Sequence, residues 1–90
     1  MMNSKSKKLD AFARLLDIID LLRNECPWDK KQTIESLRRL TIEEIYELSE
    51  SIIKGDRNGI KEELGDVLLH IVFYSKIASE ENSFDIKDVI

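Results

Sequence analysis

The sequence predicts an all-α protein, an antiparallel helical bundle completed by oligomerisation, and three observations carry that prediction. The 90 residues are 42% hydrophobic and 36% charged with only three glycines and one proline, a composition that favours helices over a turn-rich sheet. Apolar residues recur every three or four positions through three long stretches. Gly55-Asp56 then reads as the stop of one helix and the N-cap of the next. A chain this short buries a modest core, so a dimer or larger bundle is expected to complete it.

Charge and cysteine usage narrow the function. A formal charge of −4 argues against a nucleic-acid partner, which calls for a basic face. Cys26 is the sole cysteine, so no internal disulfide forms. The polar, basic start MMNSKSKK is unlike a signal peptide, and no apolar run approaches the roughly 20 residues of a membrane span. A soluble, cytoplasmic protein with no membrane partner is expected.

Residues 1–8 are expected as a flexible tail, and residues 9–90 as the helical domain. From Leu9 to about Glu25, Leu9, Phe12, Leu16, Ile19 and Leu22 make one apolar stripe, the mark of an amphipathic helix. Pro27 disfavours helical geometry at Cys26 and ends it. Trp28 is expected in the following loop, either plugging the bundle end or offering a stacking surface flanked by Lys30 and Lys31. Asp29 is a candidate N-cap. The next helix is expected from about Thr33 to Lys54, and Thr41-Ile42-Glu43-Glu44 fits a capping box that would break or kink it near Leu40. A third runs from Asp56 or Arg57 to Glu80, apolar nearly all round and therefore central. Asp85 caps a last short helix.

The chemistry lies between Glu43 and Asp66. Glu47 stands eight residues before Gly55 and Glu63 seven after Asp56, so both sit about 11–12 Å from the turn at 1.5 Å per residue. Glu44 and Asp66 pair in the same way about one turn further out. Glu44 and Glu47 occupy the heptad-like seam of Leu37, Leu40 and Ser51. Glu63 and Asp66 occupy that of Gly59, His70, Phe73 and Ile77. Facing carboxylates in such seams repel and lose hydration, and a divalent cation resolves both problems, because hard cations take oxygen ligands. Glu43, Glu50 and Glu62 fall outside the seams and read as surface or outer groups. His70 reads as a hydrogen-bonded core histidine.

Taken together, CPWDKKQT, Glu43-Glu44-Ile45-Tyr46-Glu47 and the EELGD run containing Glu63 and Asp66 resemble the MazG nucleotide pyrophosphohydrolases over roughly residues 9 to 90. The resemblance implies the all-α NTP pyrophosphatase fold, pairing of helices between subunits, and Mg²⁺-dependent cleavage of a nucleoside triphosphate to the monophosphate and pyrophosphate. Mn²⁺ is the alternative metal. By position it makes Glu44, Glu47, Glu63 and Asp66 metal ligands and puts them among the catalytic residues. Glu43 joins them as outer support, Trp28 is placed near the base, and Lys30 and Lys31 near the phosphates.

Family members continue past the position of Ile90 into a helix with basic residues. A truncated chain or a shortened relative is therefore expected. The alternative is a non-catalytic oligomerisation or nucleotide-sensing module that retains metal binding.

Overall fold

The computed structural model describes residues 4–90, and among them every regular element is a helix. These are α1 (Ser4–Glu25), α2 (Pro27–Lys31), α3 (Ile34–Lys54), α4 (Arg57–Glu80) and α5 (Ile86–Val89). The chain forms two compact units, the first running through Lys31 and the second spanning Gln32–Ile90. No helix among the described residues is long and apolar enough to cross a membrane.

In the first unit, α1 begins at Ser4 rather than Leu9, so residues 4–8 are helical. The first three positions of the expected tail lie outside the described residues. Cys26 alone separates α1 from α2 and is hydrogen-bonded to both: its N–H donates to the Leu22 carbonyl at 2.9 Å, and its own carbonyl accepts from Lys30 N–H at 2.9 Å. Pro27 opens α2 at the one helical position where a missing N–H costs nothing. Trp28 and Asp29 thus sit inside a helix, which corrects the expected loop and the expected Asp29 cap. Arg23 explains why so short a helix holds. Its Nη1 donates to the carbonyls of Asp29 at 2.6 Å and Lys30 at 3.0 Å, which would otherwise be orphaned at the end of α2.

The second unit is a long antiparallel hairpin. Thr33 caps α3 reciprocally: Ser36 N–H donates to Thr33 Oγ1 at 3.0 Å, and Thr33 N–H donates to Ser36 Oγ at 2.8 Å. At the other end Gly55 adopts φ 69°, the left-handed region that a side chain disfavours. Its N–H donates to Ile52 O and that of Asp56 to Ser51 O, closing a Schellman turn. Asp56 then caps α4 by accepting from Gly59 N–H at 3.0 Å. Helix α3 runs through Leu40 unbroken, against the expected break. Thr41 donates back to the Leu37 carbonyl at 3.1 Å instead of capping a new helix.

The hairpin's seam carries its packing. Leu37 on α3 and Val72, Phe73, Ile77 and Ala78 on α4 are buried. The buried residues of α4 lie in its C-terminal half, far from the Gly55 turn. Towards that turn the seam becomes polar, and there the acids are found.

Candidate metal centre

The antiparallel register follows from side chains that meet layer by layer. Nearest the turn, a Cβ on Gly59 would lie 2.9 Å from Ser51 Oγ, so the helices approach closely there. One layer out, the carboxyls of Glu47 and Glu63 lie against each other. Next, Glu44 faces Glu63 and Asp66. Beyond them, Thr41 Oγ1 lies 2.8 Å from His70 Nδ1. The spacings of three and four read from the sequence are the spacings of these layers.

Glu44, Glu63 and Asp66 can each bring a carboxylate oxygen within 4.8 Å of the others. Glu44 and Glu63 are half-buried and Asp66 is exposed, so the group opens to solvent on one side. Oε2 of Glu44 and Oε2 of Glu63 are both buried without a hydrogen-bond partner. An acceptor stripped of water and left unpaired costs free energy, and a carboxylate costs more than a neutral group.

The electrostatics agree. Burial pushes the Glu44 carboxyl above the ordinary glutamate value, and the charges of Asp66 and Glu47 add to the rise. Glu47 is raised chiefly by its contact and charge repulsion with Glu63. Glu63 is raised first by its contact with Glu44 and then by burial. Like charges crowd together here, and each disfavours ionisation of its neighbours. A hard divalent cation, which takes carboxylate oxygens, matches this donor set and would satisfy both orphaned atoms.

The other expected site residues lie elsewhere. Glu47 stands outside the three-carboxylate group and is exposed, though it touches Glu63. Glu43 faces solvent and pairs loosely with Arg39 at 4.0 Å, and Glu50 pairs with Lys54 at 3.6 Å. In the first unit, Trp28 is 53% exposed, while Lys30 and Lys31 form the basic last turn of α2. His70 is half-buried and hydrogen-bonded, the role read for it. Thr41 and Tyr74 were missed as partners in this region. Their signal was present: Thr41 lies three residues before Glu44, and Tyr74 lies four after His70.

An all-α domain that gathers carboxylates across one helical hairpin is what the fold and the site define. Residues 32–90 match the MazG nucleotide pyrophosphohydrolase domain, and the chain belongs to that family. It is 51% identical over 81 residues to a Thermotoga maritima protein named nucleoside triphosphate pyrophosphohydrolase/pyrophosphatase MazG, covering 88% of this chain and 32% of that one. It is 44% identical over 79 residues to the Escherichia coli K12 nucleoside triphosphate pyrophosphohydrolase, covering 84% of this chain and 30% of that one. A crystal structure of a mazG-related protein from Thermotoga maritima superposes with a TM-score of 0.77 at 32% identity, over 86% of this chain and 68% of that one. The chain spans about a third of the length of the curated relatives it matches.

Proposed function

We propose that this chain is a metal-dependent nucleoside triphosphate pyrophosphohydrolase, cleaving its substrate to the monophosphate and pyrophosphate in the cytoplasm. The observation that carries this reading is the pair of orphaned carboxylate oxygens, Glu44 Oε2 and Glu63 Oε2, within a three-carboxylate group. The names of the relatives supply the substrate class.

In this reading Glu44, Glu63 and Asp66 hold Mg²⁺, with Mn²⁺ as a substitute, and Glu47 completes the set from the adjoining layer. Glu43 supports from outside. When bound, the cation supplies charge neutralisation at the phosphates and acidifies water. The protein's own part is to hold these carboxylates at fixed spacing and to accept a proton from the attacking water on a carboxylate oxygen left free. The α–β phosphoanhydride then breaks and pyrophosphate leaves. On the first unit, Trp28 offers an exposed ring to a base, and Lys30 and Lys31 offer cations to phosphate.

The partner besides substrate is a second copy of the chain. Ile45, Ile52, Leu64, Leu68 and Ile71 all lie exposed on α3 and α4, more apolar surface than a lone helical hairpin leaves wet. A homodimer or homotetramer covers it.

The deciding experiment is pyrophosphate release from a panel of standard and modified nucleoside triphosphates, with Mg²⁺ and with chelator. Chelator-sensitive release is expected. A folded protein that binds Mg²⁺ and releases none from any nucleotide would overturn the enzymatic reading.

A further inference from the structure

One turn beyond the carboxylates, three side chains from two helices meet at a single hydroxyl. Thr41 Oγ1 lies 3.1 Å from the Leu37 carbonyl, 2.8 Å from His70 Nδ1 and 2.5 Å from Tyr74 Oη. A threonine hydroxyl has one proton to give and two lone pairs to receive with. The Leu37 carbonyl can only accept. Satisfying all three contacts therefore leaves one arrangement: Thr41 donates to Leu37, and His70 Nδ1–H and Tyr74 O–H both donate into Thr41.

We propose that Thr41, His70 and Tyr74 form a positioning cluster that holds α3 and α4 in register beneath the carboxylates and sets the geometry of the metal-binding group. Thr41 lies about 4.5 Å along α3 from Glu44, and His70 about 6 Å along α4 from Asp66. The layer below the acids is thus tied across the hairpin, on the same two helices that supply Glu44 on one side and Glu63 and Asp66 on the other. Such a tie opposes the mutual repulsion of the carboxylates, which would otherwise spread the helices. It also holds neutral His70 with its proton on Nδ1 and its lone pair on Nε2, because the tautomer follows the hydrogen bond the ring makes. This inference rests on the metal reading of the carboxylates above, but the hydrogen-bond assignment does not.

The test has two arms. His70 is the chain's only histidine, so the ¹⁵N shifts of one imidazole identify its tautomer in the metal-free protein without ambiguity. The proton is expected on Nδ1, and a neutral ring protonated on Nε2 would overturn the assignment. In the second arm, Mn²⁺ affinity is measured by calorimetry for the parent, Thr41→Val and Thr41→Ser, each checked for helicity. Valine keeps the shape and removes the hydroxyl, while serine restores it. Loss of a group that orients metal ligands weakens affinity about 10- to 100-fold, and that loss is expected for T41V with recovery in T41S. A folded T41V that binds Mn²⁺ like the parent would overturn the positioning role alone. A parent that binds no Mn²⁺ would overturn the metal reading and the positioning role together. If T41V does not fold, Tyr74→Phe replaces it in this comparison. It removes one of the two donors into Thr41, and weakened binding is again expected.

Discussion

Glu44 on α3 and Glu63 on α4 each bury an Oε2 with no hydrogen-bond partner, and their carboxylates belong to one group whose oxygens come within 4.8 Å. Two orphaned acceptors facing across a helical hairpin are a cost in the metal-free protein. Most of what can be tested about this molecule follows from how that cost is relieved.

Protons relieve it first. The carboxyls of Glu44, Glu47 and Glu63 all titrate above the ordinary value of 4.5 in the folded state. A group raised on folding contributes stability that is complete below its unfolded value and disappears as pH climbs through its folded one. The melting temperature of the chelated protein is therefore expected to fall as pH rises through the range above 4.5. Added Mg²⁺ should restore it only towards the alkaline side, where the ligands are ionised. Saturation at 100-fold over the dissociation constant adds about 2.7 kcal/mol. Calorimetry across pH with chelator and with Mg²⁺ checks both signs; a chelated protein that gains stability over this range contradicts the clustering.

Removing charge without removing shape separates the two states. Glu63→Gln should raise the melting temperature of the chelated protein at neutral pH, since one repelling carboxylate is gone. It should also weaken Mn²⁺ binding at least about tenfold. Glu47→Gln should keep the fold and lose hydrolysis. Pyrophosphate release as fast as in the parent would remove Glu47 from the site.

The glycines predict opposite effects. Gly55 holds φ 69° at the end of α3, and a side chain there costs about 1–2 kcal/mol, so Gly55→Ala should lower the urea midpoint. Gly65 lies inside α4 with open space around its missing Cβ. Gly65→Ala should raise the midpoint, stabilising the protein by up to about 1 kcal/mol through helix propensity alone. Unchanged or reduced stability of that variant would mean that another body occupies the space in solution.

Assembly is read from the wet apolar face. Leu68 is 41% exposed on α4, so Leu68→Glu should leave the hairpin folded, within about 0.5 kcal/mol for a surface position. Sedimentation velocity should show a lower mass than the parent at the same concentration. An unchanged mass would place the interface elsewhere.

Much of this architecture could be read from the residues in order. Thr33, Gly55, Asp56 and Asp85 stop and start helices through hydrogen bonds to neighbours a few positions away, and all four act as terminators or caps. The acid layers were legible for a related reason: a rise of 1.5 Å per residue turns equal distances from a turn into equal depths.

What the sequence by itself determined was the helical class, the hairpin between Gly55 and Asp56, and the seam on which the acids sit. Each depends on local periodicity or on a cap with its partner nearby. Tertiary structure decided the rest. Arg23 held Pro27–Lys31 helical by bonding carbonyls six and seven residues away, so Trp28 was not in a loop. Thr41 met His70 and Tyr74 from 29 and 33 positions away, turning an apparent capping box into a cross-helix tie. Three of the five candidate carboxylates converged, while Glu43 turned to solvent and Glu47 stood at the edge. Helical spacing narrows the face on which a side chain can lie, but only the packed partner helix decides which side chains lose their water and which keep it.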